Sequence, residues 1–184
     1  MSTISKTTTE VPDLELVQKV LRGEIQAFEK ILNRYEQPIM RYALRLLNYH
    51  QQDAEDVTSE TFIRAYQNLA SFKQHLSFSS WLYRIAHNQA VNLIKKKSKT
   101  LLIDLDQFWF LLGPKEDQFP YGKQDLENVL KQLSPEDRSL LILFHLEEKS
   151  LKEISDIYKL SQNTVAVRLR RARLKAKKII SQSL

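Results

Sequence analysis

Residues 150–178 read SLKEISDIYKLSQNTVAVRLRRARLKAKK, and the way this stretch divides decides the fold. At 3.6 residues per turn, Val165, Leu169, Ala172, Ala176 and Ile179 fall on one stripe of a helix. Arg168, Arg171, Lys175 and Lys178 fall on the stripe beside it, and Arg170, Arg173 and Lys177 form a third. From Val165 to Lys178 there are seven positive charges and no carboxylate. Such a helix has a narrow apolar seam to lay on a small core, and basic flanks that repel each other unless something negative lies alongside. A solvated basic helix is the plainer reading of a charge run, and what precedes this one argues against it. Ser150 followed three residues later by Glu153 is a capping-box signature, which predicts a helix starting near Leu151 that buries Leu151, Ile154, Ile157 and Tyr158. Leu160 ends that helix, and the hydroxyl of Ser161 can cap the next.

Two helices joined by about four residues, the second basic, form the pattern of a helix-turn-helix, whose second helix enters the major groove with its first residues nearest the base edges. By position those residues are Gln162, Asn163, Ala166 and Arg170. Gln and Asn can pair bidentately with adenine and Arg with guanine, while Arg168, Arg171, Arg173 and Lys175 reach phosphates on either side of the groove.

The whole chain has 184 residues and a formal charge of +6, enough length for one or two domains with a sizeable core. Only three Gly and five Pro punctuate it, so long helices and an all-α fold are expected. Lys and Arg against Asp and Glu number 14 to 10 over residues 1–99, 2 to 4 over 100–124 and 12 to 8 over 125–184. Two net-basic segments flank an acidic joint, which suggests two domains that each meet a polyanion. With no Cys, disulfides and thiolate metal sites are excluded. The first residues, MSTISKTTTE, lack the apolar core of a signal peptide, and no stretch approaches the length of a membrane span. A cytoplasmic protein without membrane insertion is expected.

Residues 1–12 are polar and read as disordered. Leu14, Val17 and Leu21 begin a helical period that Gly23 interrupts; a longer period follows through Ala27, Phe28, Ile31, Leu32 and Tyr35. Pro38 should kink or break that helix before Tyr42, Ala43, Leu46 and Leu47 resume it. Asp53 can cap a third helix carrying Ala54, Val57, Thr61, Ala65 and Leu69 inward. A fourth, from about Phe78 to Lys97, should bury Leu82, Ile85, Ala86 and Leu93. Residues 100–124 lose the period and read as a linker, although their patch LLIDLDQFWFLL is too apolar for a free tether. From Asp125 the period returns, and SPED places Ser134 as a cap, Pro135 at the first helical position and two acids in the first turn.

Two surfaces in the first half carry chemistry. A loop with Phe72 and Phe78 runs into a helix that opens with aromatics and ends in Lys95, Lys96 and Lys97; aromatic faces stack on unpaired bases while lysines follow the backbone. Read alone, Trp81, Leu82 and Tyr83 are more often core. In the preceding helix Asp53, Asp56, Glu60, Ile63 and Gln67 align opposite the apolar seam. Acids near a helix start complement its dipole, but Glu60 lies beyond that effect, so a partner with a basic surface is expected there.

Taken in order, DAEDVTSETFIRAYQNL, FSSWLYRIAHN and LSPEDRSLLILFHLEEKSLKEISDIYKLSQNTVAVRLRRAR closely resemble bacterial sigma factors of the extracytoplasmic-function class. The resemblance runs from about Asp13 to Lys178. It implies sigma region 2 over residues 13–99 and sigma region 4 over 125–184, two helical domains joined by the linker. In that family region 2 binds the clamp helices of the β′ subunit of core RNA polymerase and captures and melts the −10 promoter element. Region 4 reads the −35 element and contacts the β flap. By resemblance, Asp53, Asp56 and Glu60 belong to the β′ contact, the loop from Ser71 to Ser80 to capture of a flipped base, and Arg84, Asn88 and Lys95 to Lys97 to the −10 strand. Trp81 holds loop to helix, and Arg168, Arg171 and Arg173 match the family's pattern in the recognition helix. Asn163, Ala166 and Val167 depart from the commoner residues, which leaves the −35 preference open. Core polymerase and promoter DNA are the expected partners, with an anti-sigma factor as a further candidate.

Other function classes fit less well. There is no Gly-rich phosphate loop, and His50, His75, His87 and His145 lack paired ligand spacing, so neither enzyme, cofactor nor metal site is expected. A stand-alone helix-turn-helix regulator would share the C-terminal half and use residues 1–99 to dimerise or sense. A module that sequesters another sigma factor is a third class.

Overall fold

The computed structural model describes residues 11–97 and 123–183. The expected disordered stretch up to residue 10 and nearly all of the linker with its apolar patch lie outside the described residues. Among those described, the secondary structure is helical without strands.

The first half holds α1 (Asp13–Leu21), α2 (Gln26–Leu46), α3 (Gln51–Gln67) and α4 (Phe78–Lys97), with a short 3-10 turn at Leu69–Ser71. Gly23 separates α1 from α2 at φ +96°, a conformation an L side chain rarely adopts. α1 buries Leu16 and Val17, whereas Leu14 and Leu21 of the expected stripe face outward. Arg34 pairs with Asp13, and the Tyr35 hydroxyl donates to the same carboxylate, so α1 is tied to the middle of α2.

Pro38 does not break α2, which runs through it. Proline in a helix interior costs about 3 kcal/mol. Ile31, Ile39, Tyr42, Ala43 and Leu46 are all fully buried around it, and each large apolar side chain contributes about 1.5 to 3 kcal/mol. Nor is Asp53 the cap of α3: the helix starts two residues earlier, with the ring of His50 accepting from the Asp53 N–H at 3.4 Å. Ala54, Val57, Thr61 and Ala65 are buried as their spacing predicts.

The second half holds α5 (Lys123–Leu130), α6 (Pro135–Leu141) continuing into a π-helical turn (Ile142–Leu146), α7 (Leu151–Tyr158) and α8 (Gln162–Ser183). Ser134 caps α6 with Pro135 behind it, and Ser150 and Glu153 form the reciprocal capping box of α7. Lys159 at φ 55° ends α7 in a left-handed turn.

The two groups of helices are packed against each other, with α7 and α6 lying on α4 and α2. Polar side chains cross this seam. Arg138 of α6 donates to the Leu46 carbonyl at the end of α2 at 2.8 Å, while its other guanidinium bonds hold the Leu130 and Leu133 carbonyls of its own domain at 2.7 and 2.9 Å. Glu147 accepts from Tyr83 at 2.7 Å and from Arg45 at 3.2 Å, and Lys149 donates to Ser79 at 2.7 Å.

Candidate nucleic-acid interface

α8 owes its start to Ser161, whose hydroxyl accepts from the Thr164 N–H at 3.1 Å. Val165, Leu169, Ala172 and Ala176 form its buried seam, and Ile180 rather than Ile179 completes it. The seam packs on α6 and α7, as a second helix of a helix-turn-helix must. Gln162, Asn163 and Thr164 are exposed at the leading end, ahead of half-buried Ala166, Arg168, Arg170 and Arg171.

Two of the expected phosphate contacts turn inward instead. The guanidinium of Arg173 lies 4.7 Å from the centre of the Phe144 ring, and its Nε donates to His145 at 3.2 Å. Lys175 pairs with Asp137, a carboxylate in the first turn of α6 that is almost wholly buried and therefore needs a counterion. Burial and Arg173 together lower His145 to about 4, so its ring is neutral and able to accept at neutral pH. Basic residues at helical spacing thus divide: some anchor α8, and others remain at its surface.

The loop before α4 also differs from expectation. Phe72 and Phe78 are buried, not presented to bases; with Trp81 they form a cluster whose centroids stand 5.4 to 5.6 Å apart. Three large apolar rings within van der Waals reach stabilise one another more than a solvated loop could. Trp81 joins loop to helix, as the resemblance implies. Asn88, Lys95, Lys96 and Lys97 are exposed, and Arg84 is half-buried. Ile85 and Leu93, expected inside, are half-buried; Phe78, Trp81, Tyr83, His87 and Ala90 take the interior.

On α3, Asp56, Ile63 and Gln67 are exposed, and Glu60 accepts from Arg64 at 2.5 Å. Ile63 is 51% exposed with Tyr66 beside it at 44%, an apolar margin to the acidic stripe. Asp53 departs from the stripe. Its side chain is mostly covered and is held by Lys97 Nζ at 2.6 Å. Two residues expected on different partners therefore bind one another.

Sequence reasoning missed the seam residues Tyr42, His87, Arg138 and Ser139. Tyr42 and Ser139 stand 97 positions apart, and no local pattern joins them. Among the described residues no group of three or more His, Asp or Glu side chains is gathered to hold a metal ion, and no helix is long and apolar enough to cross a membrane.

Residues 31–100 match Sigma-70 region 2, and residues 123–175 match Sigma-70, region 4. The ECF RNA polymerase sigma factor SigW of Bacillus subtilis (strain 168) is 31% identical over 176 residues, covering 85% of this chain and 90% of SigW. Among solved structures, CnrH in complex with the cytosolic domain of CnrY is similar with a TM-score of 0.69 at 22% identity, over 94% of this chain and 99% of that one. The sigma factor RpoE in complex with the anti-sigma factor NepR from Bartonella quintana gives a TM-score of 0.62 at 21% identity, over 84% of this chain and 96% of that one. Identities this low attest the shared fold.

Proposed function

This chain belongs to the extracytoplasmic-function class of sigma-70 RNA polymerase sigma factors, and on that premise we propose how its residues divide the task. It binds core RNA polymerase and directs it to promoters. Sigma factors are not enzymes; in our reading the polymerase supplies all of the catalysis, and the chain acts in the cytoplasm where polymerase and DNA meet.

Region 2 extends over the α1–α4 domain. Asp56, Glu60, Ile63 and Gln67 meet the polymerase clamp, with Tyr66 enlarging the apolar part of the contact, and Asp53 supports that face from inside. Arg84, Asn88, Lys95 and Lys96 line the −10 strand. Region 4 extends over α5–α8, where Gln162, Asn163, Ala166 and Arg170 face bases of the −35 element. Arg168 and Arg171 hold phosphates on either side. The observation that carries this reading is α8: a capped, one-sided helix with its polar leading end exposed behind a second capped helix. RpoE was solved with an anti-sigma factor, which supports such a protein as a candidate further partner here.

Run-off transcription with purified core polymerase over a genomic promoter library tests the reading. A sigma factor yields promoter-specific transcripts only when chain and core are both present. A chain that footprints duplex DNA alone, and adds no transcripts to core, is a stand-alone regulator instead.

A further inference from the structure

A buried polar cluster joins the two domains, and it is built around the imidazole of His87, which is only 8% exposed. Its Nδ1 lies 2.9 Å from the Tyr42 hydroxyl of α2 and 3.1 Å from the Ser139 hydroxyl of α6, and these two hydroxyls are 2.9 Å from each other. The Tyr158 ring of α7 covers it at 4.5 Å between centroids. Each of these partners is neutral. On its own helix the charge that acts on the ring is Lys95, which is positive. Among the described residues no carboxylate bonds to His87. Glu147 is taken by Arg45 and Tyr83, and Asp137 by Lys175 and Ser134. The cluster accommodates a neutral imidazole and offers an imidazolium nothing in return for its lost hydration.

The same seam limits reach. α4 is 20 residues long, about 30 Å, and α7 and α8 are stacked on it in turn. Elements centred near −35 and −10 are about 25 base pairs apart, or about 85 Å along a duplex that is stiff over this length. With the seam closed, the two domains cannot sit on both elements.

We propose that the seam is an autoinhibitory latch released by a proton on His87: closed around the neutral ring, it keeps the two DNA-binding domains too near each other to span a promoter. The proposal rests on the division of labour given above, and its test uses neither polymerase nor DNA, so the two fail separately.

Burial, with Lys95, lowers His87 from 6.5 to about 4 in the closed form. Opening hydrates the ring and restores its ordinary value. A proton therefore binds the open form better. The closed form has the full contribution above about pH 6.5 and loses it as pH falls from there towards about 4. Between pH 7.5 and pH 5.5 the ratio of open to closed chain should rise about tenfold. His145 has the same lowered value but contacts Arg173 within its own domain, so opening leaves it unchanged.

The chain has no Cys, so Lys30→Cys on α2 and Lys152→Cys on α7, both exposed, accept a donor and acceptor dye for single-molecule energy transfer. Circular dichroism checks that each labelled chain is folded. The extended population should grow about tenfold from pH 7.5 to pH 5.5. His87→Gln, or His87→Asn should Gln unfold the chain, should abolish that growth, and His145→Gln should keep it. Ser139→Ala should raise the extended fraction at pH 7.5, bringing the growth into range where the parent is nearly all compact. A ratio independent of pH in both the parent and Ser139→Ala chains, an equal rise without His87, or a parent already extended at pH 7.5 overturns the latch.

Discussion

α4 and α8 differ in length by only two residues, 20 against 22, and both carry clustered lysines or arginines, yet they are built to opposite plans. α8 buries one stripe of small and aliphatic side chains and leaves the rest to water or to short-range anchors. α4 is buried on two sides. Phe78 and Trp81 pack with Phe72 of their own domain, while Tyr83 and His87 reach Glu147, Ser139 and Tyr158 of the other. A helix that serves one core shows its period in sequence. A helix that serves two cores loses it, because the second side is polar and is satisfied only by residues far along the chain.

The largest expected effect is on the seam side of this comparison. Arg138 is 5% exposed and its guanidinium satisfies the Leu46, Leu130 and Leu133 carbonyls. Each buried acceptor left without a donor costs about 1 to 3 kcal/mol, so Arg138→Ala should lower unfolding stability by about 3 kcal/mol or more in a urea titration. A loss below about 1 kcal/mol would mean that water replaces the guanidinium and that the seam is looser than a second core.

The exposed face of α3 should respond in the opposite way. Asp56→Arg with Glu60→Arg removes one surface pair, Glu60 with Arg64, and surface changes usually shift stability by about 0.5 kcal/mol or less. Like charges facing a basic partner cost several kcal/mol, so affinity for core polymerase should fall about hundredfold in a pull-down or titration. Unchanged affinity would take the polymerase contact off this face.

What was legible in the sequence follows the same division. The capping box, the cap of the next helix and the α8 seam were readable because each is local: Ser150 with Glu153, Ser161 at the start of α8, Val165 with Leu169. Pro38 does not end α2 because one missing N–H counts for less than the burial around it. Phe72 and Phe78 misled because aromatics suit bases and cores equally, and spacing alone does not say which. Asp53, Lys97 and Lys175 looked like partner-binding charges because their ion pairs close between separate helices, as does the contact of Arg173 with Phe144 and His145, and nothing in the periodicity of one helix reports what another presents to it.

On α8, the one-sided plan predicts separable roles along one surface. Asn163→Ala or Arg170→Ala should each cost about 1 to 3 kcal/mol at a particular −35 position and relax the preference there. Arg168→Ala should weaken all promoters alike. The measurement is transcription from a randomised −35 library by each mutant holoenzyme. Should Arg168→Ala change the selected sequence while Arg170→Ala only lowers output, the base-facing and phosphate-facing stripes are exchanged, although the helix keeps its groove.

The smallest effect separates three lysines that look equivalent in sequence. Lys95, Lys96 and Lys97 are all exposed at the end of α4, but Lys97 is already held by Asp53 at 2.6 Å. A lysine that neutralises a phosphate of a single strand contributes about 0.7 to the slope of log affinity against log salt, or about 0.9 on duplex DNA. Lys95→Ala and Lys96→Ala should each lower the slope by about that amount for the holoenzyme on its promoter, at every promoter sequence alike, because phosphate contacts carry no base information. Lys97→Ala should lower it less, since the ammonium must leave a carboxylate before it can meet a phosphate. An equal loss at Lys97 would show that the Asp53 pair opens when DNA arrives, freeing that acid to join the α3 stripe after all. No change at any of the three would remove the end of α4 from the DNA path.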